Sequence, residues 1–160
     1  MRVALVLVLA ALAGVAAFSH RVGSAGVTVR LPPGWHSVRL LGGLDPKERL
    51  VVSSKALPLR GSPCQIAYYA PRADAVSIVV VEWKPRPDVR LPPRPRRITR
   101  RVLGLRRGEI ECFGGYGGGV QFREHGRNLG VYVMLGLRAR PALERRAIAV
   151  LETWRVARRR

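Results

Sequence analysis

The sequence predicts an α+β domain: an antiparallel sheet of about six to seven strands with a C-terminal helix packed on one face. Three stretches carry that reading. Val120 and Phe122 alternate with Gln121 and Arg123, and beyond a turn Leu129, Val131, Val133, Leu135 and Leu137 alternate with Gly130, Tyr132, Met134 and Gly136. This period of two marks the arms of a hairpin. Next, Leu143, Ala147, Val150, Leu151 and Trp154 recur at helical spacing, with Arg145, Arg146, Glu152 and Arg155 mostly around the other side. Finally, residues 76–83 (VSIVVVEW) are apolar in consecutive positions, which suits a central strand covered on both faces.

Two two-residue turns keep the hairpin's apolar faces together. They are His125-Gly126 in type I′ and Gly126-Arg127 in type II′. The second is preferred, because it puts glycine where φ must be positive. The helix opens at Arg140-Pro141, with Pro141 at N1, where a missing N–H costs nothing.

Taken from the start, Arg2 is followed by an unbroken apolar run over residues 3–18. That is the pattern of a signal peptide, with Ala17 and Ser19 at −3 and −1 and His20 as the first mature residue. An uncleaved membrane anchor is the alternative, although the run falls short of the ~20 residues of a spanning helix. No cysteine adjoins the site, so a lipoprotein anchor is excluded. Residues 1–19 are thus the signal or anchor, and residues 20–160 form one α+β domain.

Within that domain, residues 20–26 read as a polar tether and residues 26–31 as a strand with Val27, Val29 and Leu31 on one face. Pro33-Gly34 fits a type II turn, from which residues 35–41 return as a strand. Residues 50–57 are a third strand, and residues 65–70 are ambiguous between helix and extended chain. Residues 84–97 hold five prolines and six basic residues, which makes them an exposed loop. Residues 98–105 and 109–113 read as short strands separated by residues 106–108. The glycine cluster at 114–119 reads as a flexible connector, since its spacing satisfies neither GxGxxG nor a GK[ST] phosphate loop.

Three segments carry a resemblance: VRLPPGWH (residues 29–36), FREHGR (122–127) and AIAVLETWRV (147–156). With these the chain resembles small exported or membrane-anchored proteins of high-GC Gram-positive bacteria. Its layout is also similar to the PsbP-like α+β fold. Both likenesses imply architecture and location; neither supplies a functional residue.

Cys64 and Cys112 are the sole cysteines. In an exported chain such a pair predicts a disulfide. His20, His36 and His125 lack a partner at metal-ligand or nucleophile spacing, so no metal site and no cofactor is expected. The catalytic alternative, a cryptic extracytoplasmic hydrolase, rests on His36 or on His125 paired with Glu109 or Glu111.

The formal charge is +19, from 29 Lys and Arg against 10 Asp and Glu. GC-rich codon usage accounts for Arg replacing Lys, but not for the excess of base over acid. The excess points to an anionic partner. The candidate binding residues are Arg94, Arg96, Arg97, Arg100, Arg101, Arg106 and Arg107, with a second run at Arg155, Arg158, Arg159 and Arg160. Sparse aromatics, no recognition helix and the export signal disfavour nucleic acid. An anionic membrane surface, an envelope polymer or a partner protein remains. The expectation is a non-enzymatic envelope domain, secreted or held at the cytoplasmic membrane by residues 3–18. Expressed in a bacterium with its own N-terminus, the domain should be recovered outside the cytoplasm. Recovery in the cytosolic fraction alone would overturn the export reading.

Overall fold

Nine strands, two α-helices and one 3-10 turn (Ala67–Tyr69) make up the described chain, a computed structural model covering residues 18–42, 45–59 and 61–158. The apolar run that predicts export lies, over residues 1–17, outside the described residues. In order the elements are β1 (His20–Ser24), β2 (Val27–Leu31), β3 (His36–Ser37), β4 (Lys47–Ser53), β5 (Val76–Trp83), α1 (Arg100–Leu103), β6 (Arg106–Ile110), β7 (Phe113–Glu124), β8 (Arg127–Leu135), α2 (Pro141–Glu152) and β9 (Arg155–Val156). A six-stranded sheet runs β3-β4-β5-β8-β7-β6, and a small one runs β1-β2-β9. All their ladders are antiparallel.

The central place expected for β5 is the observed one, between β4 and β8. Its alternate residues feed two cores. Val76, Ile78 and Val80 join Phe122, Leu129, Val131 and Val133 on the face covered by α2 and β2. Val79 and Val81 join Tyr132 and Met134 on the other face, under Ile66 and Tyr69. α2 lays Ala147, Val150 and Leu151 on the first core, as its periodicity requires. Leu143 is only half-buried, because the first turn of the helix overlooks a cleft.

Six local expectations are corrected. Residues 20–26 are no tether: β1 pairs with β2 from His20↔Leu31 to Ser24↔Val27. Little of residues 35–41 is strand, since β3 spans two residues. Residues 98–105 are no strand but hold the single-turn α1 (Arg100–Leu103), because the Thr99 hydroxyl caps Val102 N and Gly104 closes the turn at φ 59°. Residues 106–108 and 114–119 are strand rather than spacer and connector, paired as Arg106↔Gly117 through Ile110↔Phe113. The glycines are there for packing: a Cβ at Gly118 would collide with the Leu103 carbonyl of α1. Finally, the long hairpin turns on His125-Gly126 at φ 50° and 78°, not on Gly126-Arg127. This type I′ turn pairs Glu124 with Arg127 and so keeps Arg127 in the strand, where it reaches a buried carboxylate on β5.

The Pro/Arg-rich stretch 84–97 is an exposed loop in the main, as expected. Its end returns to the sheet: Arg123 N donates to the Pro92 carbonyl, and Arg94 N to that of Arg123. The loop thereby covers the edge of β7 beyond the reach of β6, a protection that free edges need. Cys64 and Cys112 form a disulfide, with Cα atoms 5.9 Å apart and a sequence separation of 48. Closing a loop of that length restricts the unfolded chain by about 4 kcal/mol on the entropic account.

Trp154 anchors the helix end. It is fully buried, meets Phe122 edge-on at 6.0 Å, and donates Nε1–H to Glu124 at 2.9 Å. Trp154→Ala should cost roughly 3–5 kcal/mol in urea denaturation. A loss under about 1 kcal/mol would place the indole outside the core.

Candidate functional site

The strand register puts Arg107 beside Tyr116 and Tyr116 beside Leu135, across β6, β7 and β8. Directly opposed residues share a face, here the one that α2 covers. α1 brings Arg100 to the same place: its Nη2 donates to the Tyr116 hydroxyl at 2.6 Å, and its guanidinium lies 5.9 Å from the ring centroid. From the first turn of α2, Glu144 pairs with Arg100 Nε at 3.5 Å. Three elements are thus held together around one tyrosine.

Beside this junction opens a cleft of about 490 Å³. Arg100, Arg107, Arg140 and Arg145 line it, against the single carboxylate of Glu144. The segment between β8 and α2 closes one side, and its Leu137 is 68% exposed. The start of α2 carries no side-chain cap, so the positive end of its dipole adds to the field there. Burial raises the Tyr116 pKa, Glu144 raises it further and Arg100 opposes them. The phenol thus stays protonated, accepting from Arg100 while its own hydrogen bond goes to Glu144. Guanidiniums lining one cleft can grip a tetrahedral or planar oxyanion by several charge-assisted hydrogen bonds.

Of the seven arginines singled out in the sequence, Arg100 and Arg107 reach this cleft. Arg96, Arg97, Arg101 and Arg106 are exposed on α1, β6 and the loop before them. Arg94 is turned inward to Glu124, 3.1 Å away. Arg155 and Arg158 are exposed at the end of the chain, and Arg159 and Arg160 lie outside the described residues. Arg140 and Arg145 were missed, since they belong to no basic run. Their one sequence signal was their position around Pro141 at a helix start.

Elsewhere the buried charges are structural. Glu82 accepts from Arg127 Nη2 at 2.7 Å and Nε at 3.2 Å, and from Arg49 Nε at 2.6 Å. Arg127 also donates to the Ala25 carbonyl at 3.0 Å, tying the small sheet to the large one. A bulge at Arg49 sends Glu48 to the opposite face. There Glu48 accepts from Gly42 N and Gln65 Nε2, both at 2.7 Å. Near it the Tyr69 hydroxyl accepts from Leu41 N at 2.9 Å, and burial pushes its pKa up to about 12. Burial likewise raises that of Tyr132.

His125 sits exposed in the hairpin turn and His36 on the edge strand β3. Pairing His125 with Glu109 or Glu111 is overturned. Glu111 turns instead toward the Tyr132 hydroxyl, 3.5 Å away, and Glu109 pairs with Gly114 at the far end of β7 from the turn that holds His125. Among the described residues no three His, Cys, Asp or Glu side chains gather as a metal site would require. Compared with known proteins, the chain matches no family model, no curated protein and no solved structure.

Removing the charge of Glu82 would leave Arg127, 4% exposed, without its bidentate partner. Glu82→Gln should therefore destabilise by about 3–5 kcal/mol. Urea unfolding with an unchanged m-value is the check; a loss near zero would show that the pair contributes nothing to the fold.

Proposed function

We propose that this protein is an exported, non-enzymatic domain that docks on an anionic membrane surface of the cell envelope through the cleft at Arg100, Arg107, Arg140 and Arg145. The observation that carries the reading is the juxtaposition of these four guanidiniums with the protruding Leu137. Phosphate-bearing headgroups suit the guanidiniums, and an exposed aliphatic side chain among cations suits the acyl boundary beneath them. Each basic residue near such a surface contributes about 1 kcal/mol and is screened within a Debye length. Four held together give an affinity that scattered charge does not.

The disulfide is compatible with an extracytoplasmic location. Among the described residues no helix is long and apolar enough to cross a membrane. Attachment by a span would fall to residues 3–18, and surface docking to the cleft. A hydrolase finds less support, because His36 and His125 stand apart from the cleft.

Sedimentation with vesicles of phosphatidylglycerol and phosphatidylcholine tests the reading. Replacing Arg100, Arg107, Arg140 and Arg145 by Gln should weaken binding at physiological salt more than tenfold. Replacing the scattered, exposed Arg21, Arg30, Arg39 and Arg123 should change it far less, and Leu137→Ser should remove the part that survives high salt. Equal losses from both arginine sets would return the charge excess to composition. Wild-type binding to an anionic polymer but not to vesicles would move the partner from lipid to polymer.

A further inference from the structure

The opposite face of the large sheet carries a second, unrelated cleft. Trp83 ends β5 and lies in register with Asn128 of β8, which is in turn opposite Arg123 of β7. Gln121, two residues back along β7, shares that face. The chain after Trp83 folds back over these residues, so that Lys84, Arg86, Val89 and Leu91 complete a cleft of about 200 Å³. The indole lies over Gly130, where any Cβ would strike its ring, and the partly buried Trp83 lines the cleft.

Asn128 makes this more than a dent. Its residue is 7% exposed and lines the cleft. Its carboxamide makes no hydrogen bond with a described residue, whereas the nearby Glu82 and Arg127 are engaged with each other. The amide's N and O atoms are not sealed off, since among the described residues the one fully buried side-chain N or O without a partner is Arg94 Nε; they keep contact with solvent where the residue lines the cleft. Gln121 is exposed beside it and makes one long bond from Nε2 to the Tyr132 hydroxyl at 3.4 Å. Two carboxamides thus offer donors and acceptors together, beside an indole and beneath two cations.

We propose that this cleft binds a single sugar ring bearing an anionic substituent, as at the end of an acidic glycan. Hydroxyl groups both donate and accept, which matches a carboxamide's two donors and two lone pairs. The C–H face of the ring suits the indole and the aliphatic Val89 and Leu91. Lys84 and Arg86 meet the substituent, a carboxylate or a phosphate. The cleft is smaller than the roughly 300–1,000 Å³ of drug-sized ligand sites, so it holds one ring and not a base, ribose and phosphate together. Nothing here depends on the membrane-docking cleft, which lies on the other face of the sheet.

Calorimetric titration of the full disulfide-bonded chain with glucose, glucuronate, glucose 6-phosphate and AMP tests the proposal. Glucuronate or glucose 6-phosphate should saturate in the millimolar range or tighter, at least tenfold better than glucose, and the better of the two identifies the substituent. Trp83→Ala and Asn128→Ala should each weaken that binding at least tenfold. Lys84→Gln with Arg86→Gln should erase the preference over glucose. Because the Asn128 carboxamide has no partner, Asn128→Ala should leave the Tm of the sugar-free protein unchanged or higher; a clear drop would show a structural amide and overturn the site. No saturation by either acidic sugar, a preference for AMP, or sugar binding indifferent to Trp83 and Asn128 would each overturn it as well. The four-arginine variant of the other cleft should bind sugar normally, which keeps the two readings separable.

Discussion

The buried pair of Glu82 and Arg127 is the contact on which the rest of the sheet depends. Placed on adjacent central strands, the two side chains meet in a bidentate fork away from water. Such a pair tolerates little displacement, because either group left alone in that setting is an uncompensated charge. The pair therefore selects the register of the long hairpin. Turning on Gly126-Arg127 would satisfy the hydrophobic alternation equally, but it would pull Arg127 out of the strand. Through the Ala25 carbonyl the same guanidinium also fixes the small sheet, and with it β2, one of the covers of the first core.

Once that register is set, the basic cleft follows from it. β7 carries Tyr116 to a point beside Leu135, where β8 ends and the chain turns toward α2. The glycines of β7 allow α1 to press its backbone onto the sheet at Gly118, which brings Arg100 within reach of Tyr116. A larger residue at Gly118 would lift α1 and open the Arg100–Tyr116–Glu144 junction. The glycine-rich strand is thus a packing device that serves a charged site, and phosphate-loop chemistry has no part in it.

The two clefts use the sheet's two faces differently. On one, cations gather around a phenol and an exposed leucine; on the other, an indole and two carboxamides sit beneath a proline-rich loop. That loop has a double role. Its far end pairs with β7 and protects the edge, while its near end supplies Lys84, Arg86, Val89 and Leu91 to the smaller cleft. Proline limits its conformations, so both positions are held at low entropic cost.

The sequence by itself determined the fold class, the central strand β5, the amphipathic α2 with Trp154 at its end, the hairpin arms and the disulfide. These follow from periodicity and composition, which are properties of neighbours along the chain. Tertiary structure decided what those signals leave degenerate. Two turns satisfied one alternation, and an ion pair to a strand some 45 residues away chose between them. Residues 98–105 carried strand-like apolar content, yet a Thr cap, a Gly stop and contact with Gly118 made them a helical turn. The arginines were legible as runs, but a cleft collects side chains by position in space. It kept Arg100 and Arg107, gave Arg94 to Glu124, and recruited Arg140 and Arg145 from a helix start. Asn128 was the least legible of all, since what marks it is a hydrogen bond that folding left unmade.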